Sequence, residues 1–141
     1  MKYKFDVFIS YRQTDPDKSW VKNILVPALE ANDLNVFIDY KNFRLGVAII
    51  KEMERGVIES KYTLAILSPI YLESNFTEFE NIISEHLGLV NNQRRLIPLM
   101  FRQCKPRLSF QAKLWIDFTS EKLFNENISF LVKELKQDPD L

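Results

Sequence analysis

The sequence predicts an α/β fold: one domain built on a parallel sheet with helices on both faces. Three observations lead there. Short apolar runs alternate with stretches of helical periodicity from end to end. The apolar runs are nearly continuous rather than strictly alternating, as in strands buried on both faces. No repeat, low-complexity tract or linker interrupts the 141 residues. Hydrophobic residues make up 46% of them, and a chain of this size buries roughly two thirds of its unfolded surface.

Each element follows in order. Phe5 to Ser10 (FDVFIS) reads as the first strand. Gln13 to Lys18 is turn chemistry, and Asp15 or Asp17 can cap the helix that follows. Trp20, Ile24, Leu25, Ala28 and Leu29 give that helix its apolar face. Pro27 lies inside the pattern and should kink or break it. Asn32 and Asp33 end it. Leu34 to Ile38 is the second strand, and Asp39 to Gly46 a loop with exposed aromatics. Ile49, Ile50, Met53, Val57 and Ile58 recur at helical spacing. Tyr62 to Leu67 is the third strand, closed by Ser68 and Pro69. A helix opens near Phe76 and runs to about Val90, and Asn91 to Arg95 is a polar loop. Leu96 to Phe101 is the fourth strand, in which Pro98 suggests a strand end or a bulge. Leu114 to Ile116 is a short fifth. Leu123, Ile128, Phe130, Leu131 and Leu135 belong to a final helix. The end, residues 136–141, is polar and frayed and could lead into a further domain.

Short connections and right-handed crossovers leave few topologies. The five-stranded order 2-1-3-4-5 places its switch point between strands 1 and 3, and ligands bind beyond the carboxyl ends of those two strands. Here those ends are Ser10, Tyr11 and Arg12 on one side and Ser68 and Pro69 on the other. The segment leaving strand 3 delivers Phe76 and Glu80. The loop from Asp39 to Gly46 can fold over the same crevice.

Composition excludes several classes. Only 3 glycines are present, too few for a glycine-rich phosphate loop. Lys+Arg and Asp+Glu are 19 each. That balance argues against general binding to nucleic acid or anionic membrane. A single cysteine, Cys104, rules out an internal disulfide and any multi-cysteine metal site and fits a reducing compartment. Cys104 reads as structural or incidental. The one histidine, His86, reads as a surface residue rather than a metal ligand. No run reaches the ~18 apolar residues that span a bilayer. Asp6 interrupts what would be a secretory apolar region. The expectation is a cytoplasmic protein with no membrane segment, no metal and no cofactor.

Glu80 stands apart. At ~100° per residue, Phe76, Phe79, Ile83, Leu87 and Val90 fall within an arc of roughly 80°. Glu78 and Glu85 project opposite. Glu80 lies about 20° from Leu87, on the flank of the buried stripe. A carboxylate there meets a cationic neighbour or does chemistry.

With these residues placed, the chain resembles a Toll/interleukin-receptor (TIR) domain. The resemblance rests on Phe5 to Arg12 (FDVFISYR), Val36 to Asp39 (VFID) leading to Arg44-Leu45-Gly46, Ile58 to Ser68 (IESKYTLAILS), Tyr71 to Glu80 (YLESNFTEFE) and Leu96 to Leu99 (LIPL). The resemblance covers essentially the whole chain, residues 1–141, with the five motifs in the right order. The resemblance implies a flavodoxin-like three-layer sandwich and a loop, Asp39 to Gly46, that governs homotypic self-association. It also implies one of two functions, a signalling scaffold that only assembles or an enzyme that cleaves NAD+ at the nicotinamide–ribose bond, of the type found in bacteria and plants. Enzymatic members carry an aromatic followed four residues later by a glutamate, as Phe76 and Glu80 do. The aromatic is usually Trp, so stacking by Phe76 is weaker. Leu45 stands where a small residue or Pro is usual.

This implied chemistry suits the residues. Nicotinamide is cationic in NAD+ and leaves neutral, while the ribose carbon passes through an oxocarbenium-like state. Glu80 would stabilise that charge, and Phe76 would offer a face to the pyridinium ring. NAD+ is then substrate, not cofactor. Arg12 can pair with pyrophosphate or ribose oxygens, or form a salt bridge to Asp39 or Glu80. Tyr11 lines either the core or the crevice wall. Phe43, an aromatic in a polar loop, is assigned to contact with substrate or a neighbouring subunit. Asp39, Arg44 and Leu45 are grouped with the substrate-facing loop, although Arg44 is most simply a solvated charge. Asp6 has no catalytic role.

Overall fold

A computed structural model of the chain describes residues 3–73, 79, 82, 86, 95–106 and 114–139. Strand β1 (Phe5–Ser10) leads into α1 (Asp17–Trp20), a π-helical turn (Val21–Leu25) and α2 (Val26–Ala31). Then come β2 (Val36–Phe37), α3 (Asp39–Asn42), α4 (Ile49–Glu59), β3 (Ser60–Leu67) and α5 (Pro69–Glu73). Phe79, Ile82 and His86 are helical. Strands β4 (Leu96–Met100) and β5 (Ile116–Asp117) precede a 3₁₀ turn (Glu121–Leu123) and α6 (Phe124–Leu135). The sheet runs β2-β1-β3-β4-β5 with every pair parallel, the order the sequence predicts.

Period-two alternation divides the core into two layers. Val7, Ile9, Leu64, Ile66 and Leu99 face one side, with Val21, Leu25 and Leu29 from the first helical stretch and Leu131 and Leu135 from α6. Trp20 stacks on Phe101 there at 4.4 Å. Phe8, Ala65, Leu67 and Met100 face the other side, with Val57 of α4 and the helical Phe79 and Ile82. Phe79 is buried as predicted. Gly56 brings α4 close to the sheet: a Cβ there would stand 2.8 Å from Cδ1 of Phe8.

Several boundaries differ from the sequence reading, each for a local reason. Pro27 marks a break in the α ladder, as the sequence suggests, without ending the helical stretch. It cannot donate into an α ladder, and the turn before it widens instead, with Val26 N–H bonding Val21 O. That register turns Ile24 out to solvent, 47% exposed, rather than into the predicted apolar face. Pro98 sits in mid-strand, paired with Ala65, not at an end or bulge. Phe101 N–H bonds Leu67 O on the β3 side, so alternation turns position 98 toward β5. There pairing begins only at Leu99, and no ladder bond is lost. The fifth strand lies at Ile116–Asp117, leaving Leu114 and Trp115 exposed ahead of it. The stretch expected as pure loop after β2 begins with the single turn of α3. In the helices that close the chain and precede β3, Phe130, Leu123, Ile49 and Ile58 are exposed despite their apolar spacing. Asn32 and Asp33 do end α2, with Asp33 at φ 65.

Candidate functional site

The carboxyl ends of β1, β2 and β3 gather the polar side chains of interest. Tyr11 leaves β1 and donates its hydroxyl to Oδ1 of Asp39, 2.7 Å away at the start of α3. The Gln13 amide donates to the other carboxylate oxygen. Burial, then the bond to Asp39, pushes the Tyr11 hydroxyl well above its ordinary pKa, so it stays a donor. Tyr11, Gln13 and Asp39 line a cavity of about 260 Å³ together with Lys18, Lys22 and Tyr40. Two of the predicted substrate contacts, Tyr11 and Asp39, thus share one cavity. It opens over β1 and β2, one strand to the side of the predicted crevice.

At the β1–β3 switch point the side chains form a buried chain of hydrogen bonds. Ser10 Oγ and the Tyr71 hydroxyl lie 2.8 Å apart. Tyr71 N–H donates to Ser68 Oγ at 3.1 Å. The Ser68 hydroxyl donates in turn to Oδ2 of Asp17. Asp17 is 0% exposed, and its Oδ1 has no hydrogen-bond partner among the described residues. Burial pushes its carboxyl above the usual carboxylate range, while the Ser68 bond and the charges of Arg102 and Arg12 pull the other way. The sequence offered Asp15 and Asp17 equally as helix caps. The N-cap position falls on Pro16, and Asp15, one residue before it, accepts from Ser19 N at 2.9 Å and Ser19 Oγ at 2.6 Å. Only depth separates the two, and nothing local in the sequence encodes depth.

Arg12 is half-buried at the end of β1. The salt bridge to Asp39 left open by the sequence does not form, because Tyr11 and Gln13 occupy that carboxylate. The three loop residues take different positions. Phe43 is partly buried, its ring 6.0 Å from that of Phe37 and packed against the α4 core. Arg44 is exposed, as a solvated charge is, and is also paired: Nη2 and Nε reach Oε1 of Glu52 at 2.8 and 3.2 Å, and its backbone N–H reaches Oε2 at 2.8 Å. Neither Arg44 nor Leu45 lines the cavity; Leu45 is fully exposed beside Gly46, whose φ of 81 favours glycine.

Glu52 explains the loop. Its side chain is 1% exposed, and Arg55 adds a bond at 2.9 Å from the other side. Arg55 also donates to the Asn42 carbonyl at 2.6 Å. Bonds from Arg55 and Arg44 hold the Glu52 carboxyl down to about 2. One carboxylate thereby ties both arginines and the segment from Asn42 to Arg44 to α4. The available signal was Gly56. A mid-helix glycine marks close approach, and Glu52 lies one turn before it on the same row.

His86 is less exposed than expected, half-buried with Nε2 3.1 Å from Oε2 of Glu54. Cys104 is half-buried, its thiol pushed up by burial. Phe76 and Glu80, the predicted stacking and catalytic residues, lie outside the described residues, as do Glu78, Ile83, Glu85, Leu87 and Val90. No helix of the described residues is long and apolar enough to cross a membrane.

Comparisons with known proteins place this geometry in a family. The chain is 31% identical to Toll-like receptor 6 of Mus musculus over 146 residues, covering 92% of this chain and 18% of the receptor. It is also 31% identical over 77 residues to the NAD(+) hydrolase TirS of Staphylococcus aureus (strain MSSA476), covering 55% of this chain and 27% of the enzyme. The chain therefore spans about a quarter or less of these relatives' length. The TIR domain of the Toll-related receptor TRR-2 from Hydra magnipapillata superposes with a TM-score of 0.80 at 19% identity, covering 95% of this chain and 100% of that one. At that identity the likeness concerns the fold alone. The TIR domain family model matches residues 7–132, and the chain belongs to the TIR domain family.

Proposed function

We propose that this chain is an NAD+ glycohydrolase or cyclase. It cleaves the nicotinamide–ribose bond to give nicotinamide with ADP-ribose or a cyclic isomer, and self-association activates it in signalling or defence. The observation that carries the reading is the cavity at the carboxyl end of the sheet, where Tyr11 and Asp39 meet. Similarity to an NAD(+) hydrolase over 77 residues supports it. In this reading the Glu80 carboxylate stabilises the oxocarbenium-like ribose and orients its hydroxyls. One carboxylate is enough, because nicotinamide departs neutral without needing a proton. Phe76 stacks on the pyridinium. Arg12, half-buried at the β1 end, supplies a cation for pyrophosphate or ribose oxygens.

A second reading has its own support. Leu45 is fully exposed, Ile49 is 69% exposed and Val47 lies between them, an apolar tip next to a segment that Glu52 fastens down. That tip and the likeness to a Toll-like receptor over 92% of the chain suit a scaffold that acts by homotypic assembly alone. Incubating the protein with NAD+ across a wide protein concentration range separates the two. Nicotinamide released faster than in proportion to protein supports the enzyme. Assembly with no nicotinamide at any concentration supports the scaffold.

A further inference from the structure

Lys18 and Lys22 form no salt bridge among the described residues, although the Asp15 carboxylate feels the charge of Lys18. They are one helical turn apart, Lys18 in α1 and Lys22 in the π-helical turn, and both side chains are exposed on the wall of the 260 Å³ cavity. Like charges at this spacing repel each other. The carboxylates nearby are already engaged. Asp39, in the cavity lining, accepts from Tyr11 and Gln13. Glu30 holds Lys41 at 2.8 and 2.9 Å. Asp15 bonds Ser19. The lining thus carries two ammonium groups and one carboxylate, an excess of one positive charge.

Two tyrosines, Tyr11 and Tyr40, complete the walls. Tyr40 is 42% exposed, with the Lys22 ammonium 5.4 Å from its ring centre. Tyr11, whose hydroxyl donates to Asp39, lines the same cavity. Pockets that enclose a whole drug-sized ligand run from about 300 to 1,000 Å³. A cavity of about 260 Å³ is below that range. It suits one phosphate and part of its sugar, not a complete dinucleotide.

We propose that this cavity is a phosphate subsite that takes the phosphate-bearing part of a nucleotide, with Lys18 and Lys22 as its anion ligands. The phosphate offsets the repulsion between the two lysines, and a sugar or base edge lies against Tyr40. The inference deepens the functional reading above by naming the chemistry of one end of the substrate. It is tested by binding alone, so it survives or fails independently of bond cleavage. The phosphate could be internal, as in a pyrophosphate, or terminal, as in a monoester.

The test measures binding of adenosine, adenosine monophosphate, ADP-ribose and inorganic phosphate to the whole chain, by calorimetry or by amide shift perturbation. The wild type is compared with Lys18→Gln/Lys22→Gln and with Lys18→Arg/Lys22→Arg. Both lysines are exposed, so neither pair of changes disturbs the core. The expected result is binding of the phosphate-bearing nucleotides at least tenfold tighter than adenosine, weakened by salt and by competing inorganic phosphate. The glutamine variant loses that preference and the arginine variant keeps it. ADP-ribose above adenosine monophosphate assigns the subsite to pyrophosphate, and the reverse assigns it to a monoester. Adenosine binding as tightly as its phosphates, an unchanged preference in the glutamine variant, or no phosphate-dependent binding at all overturns the proposal. Absence of nicotinamide release from NAD+ with these binding results intact would count against the glycohydrolase alone.

Discussion

Replacing Asp17 by Asn tests whether the switch point holds a carboxylate that costs stability. Asp17 is 0% exposed, with one oxygen bonded to Ser68 and the other without a hydrogen-bond partner among the described residues. Burial raises its folded pKa above the unfolded value of about 3.9. The sign follows from linkage. Between the two pKa values the unfolded chain has released its proton and the folded chain has kept it, so stability falls as pH rises through that window and is flat above it. Asn keeps an acceptor for Ser68 and cannot ionise. Asp17→Asn should therefore gain stability relative to wild type as pH rises from about 4, and hold the gain above the raised pKa. Asp17→Ala removes the acceptor as well. It leaves the Ser68 hydroxyl, 1% exposed, without its partner, at a cost of about 1–3 kcal/mol, or roughly 3–12 °C in Tm. That cost is read at the acid end, where the carboxyl is protonated. The assay is urea unfolding of the three proteins from about pH 4 to about pH 8. A wild-type-to-Asn difference that is flat across this range, or that grows toward acid, refutes the reasoning.

Other predictions follow from single contacts. Gly56→Ala places a methyl 2.8 and 2.9 Å from the Phe8 ring and should destabilise by roughly 1–3 kcal/mol in denaturant titration. Glu52 has its pKa depressed to about 2, so its contribution is present above the unfolded value of about 4.3 and is lost as pH falls toward 2. Glu52→Gln should be less stable than wild type at neutral pH, with the gap closing in acid unfolding curves. Phe43→Ala should lower stability by about 1–3 kcal/mol, less than for a fully buried Phe, because the ring is half-buried against Phe37. If thermal melts of that variant match wild type while assembly is lost, the residue belongs to an interface instead.

The inner strands were legible because burial on both faces forces continuous apolar residues. Tyr62 to Leu67 has no outward position to make polar, and its extent was read to within two residues. The edges were harder. Strands β2 and β5 are two residues each, defined by backbone pairing that many sequences satisfy, so Leu114 and Trp115 were taken for a strand they only precede. The cavity was half legible. Tyr11 and Asp39 follow strand ends, and strand order alone brings those ends together. Lys18 and Lys22 were not singled out, since a lysine beside a cavity and a lysine in open solvent look alike in sequence. The ion pair of Arg44 was hidden for a related reason. Its partner Glu52 is eight residues away on another element, and a buried carboxylate on an apolar helix face shows only in three dimensions.

The most direct test of the account is the rate of nicotinamide release from NAD+ by wild type and by Glu80→Ala, each at protein concentrations that give matched assembly. The account predicts release by wild type and a fall of about 10²–10³-fold in the variant, with folding and self-association unchanged. Equal release by the two proteins, or none from wild type in any assembled state, would contradict it.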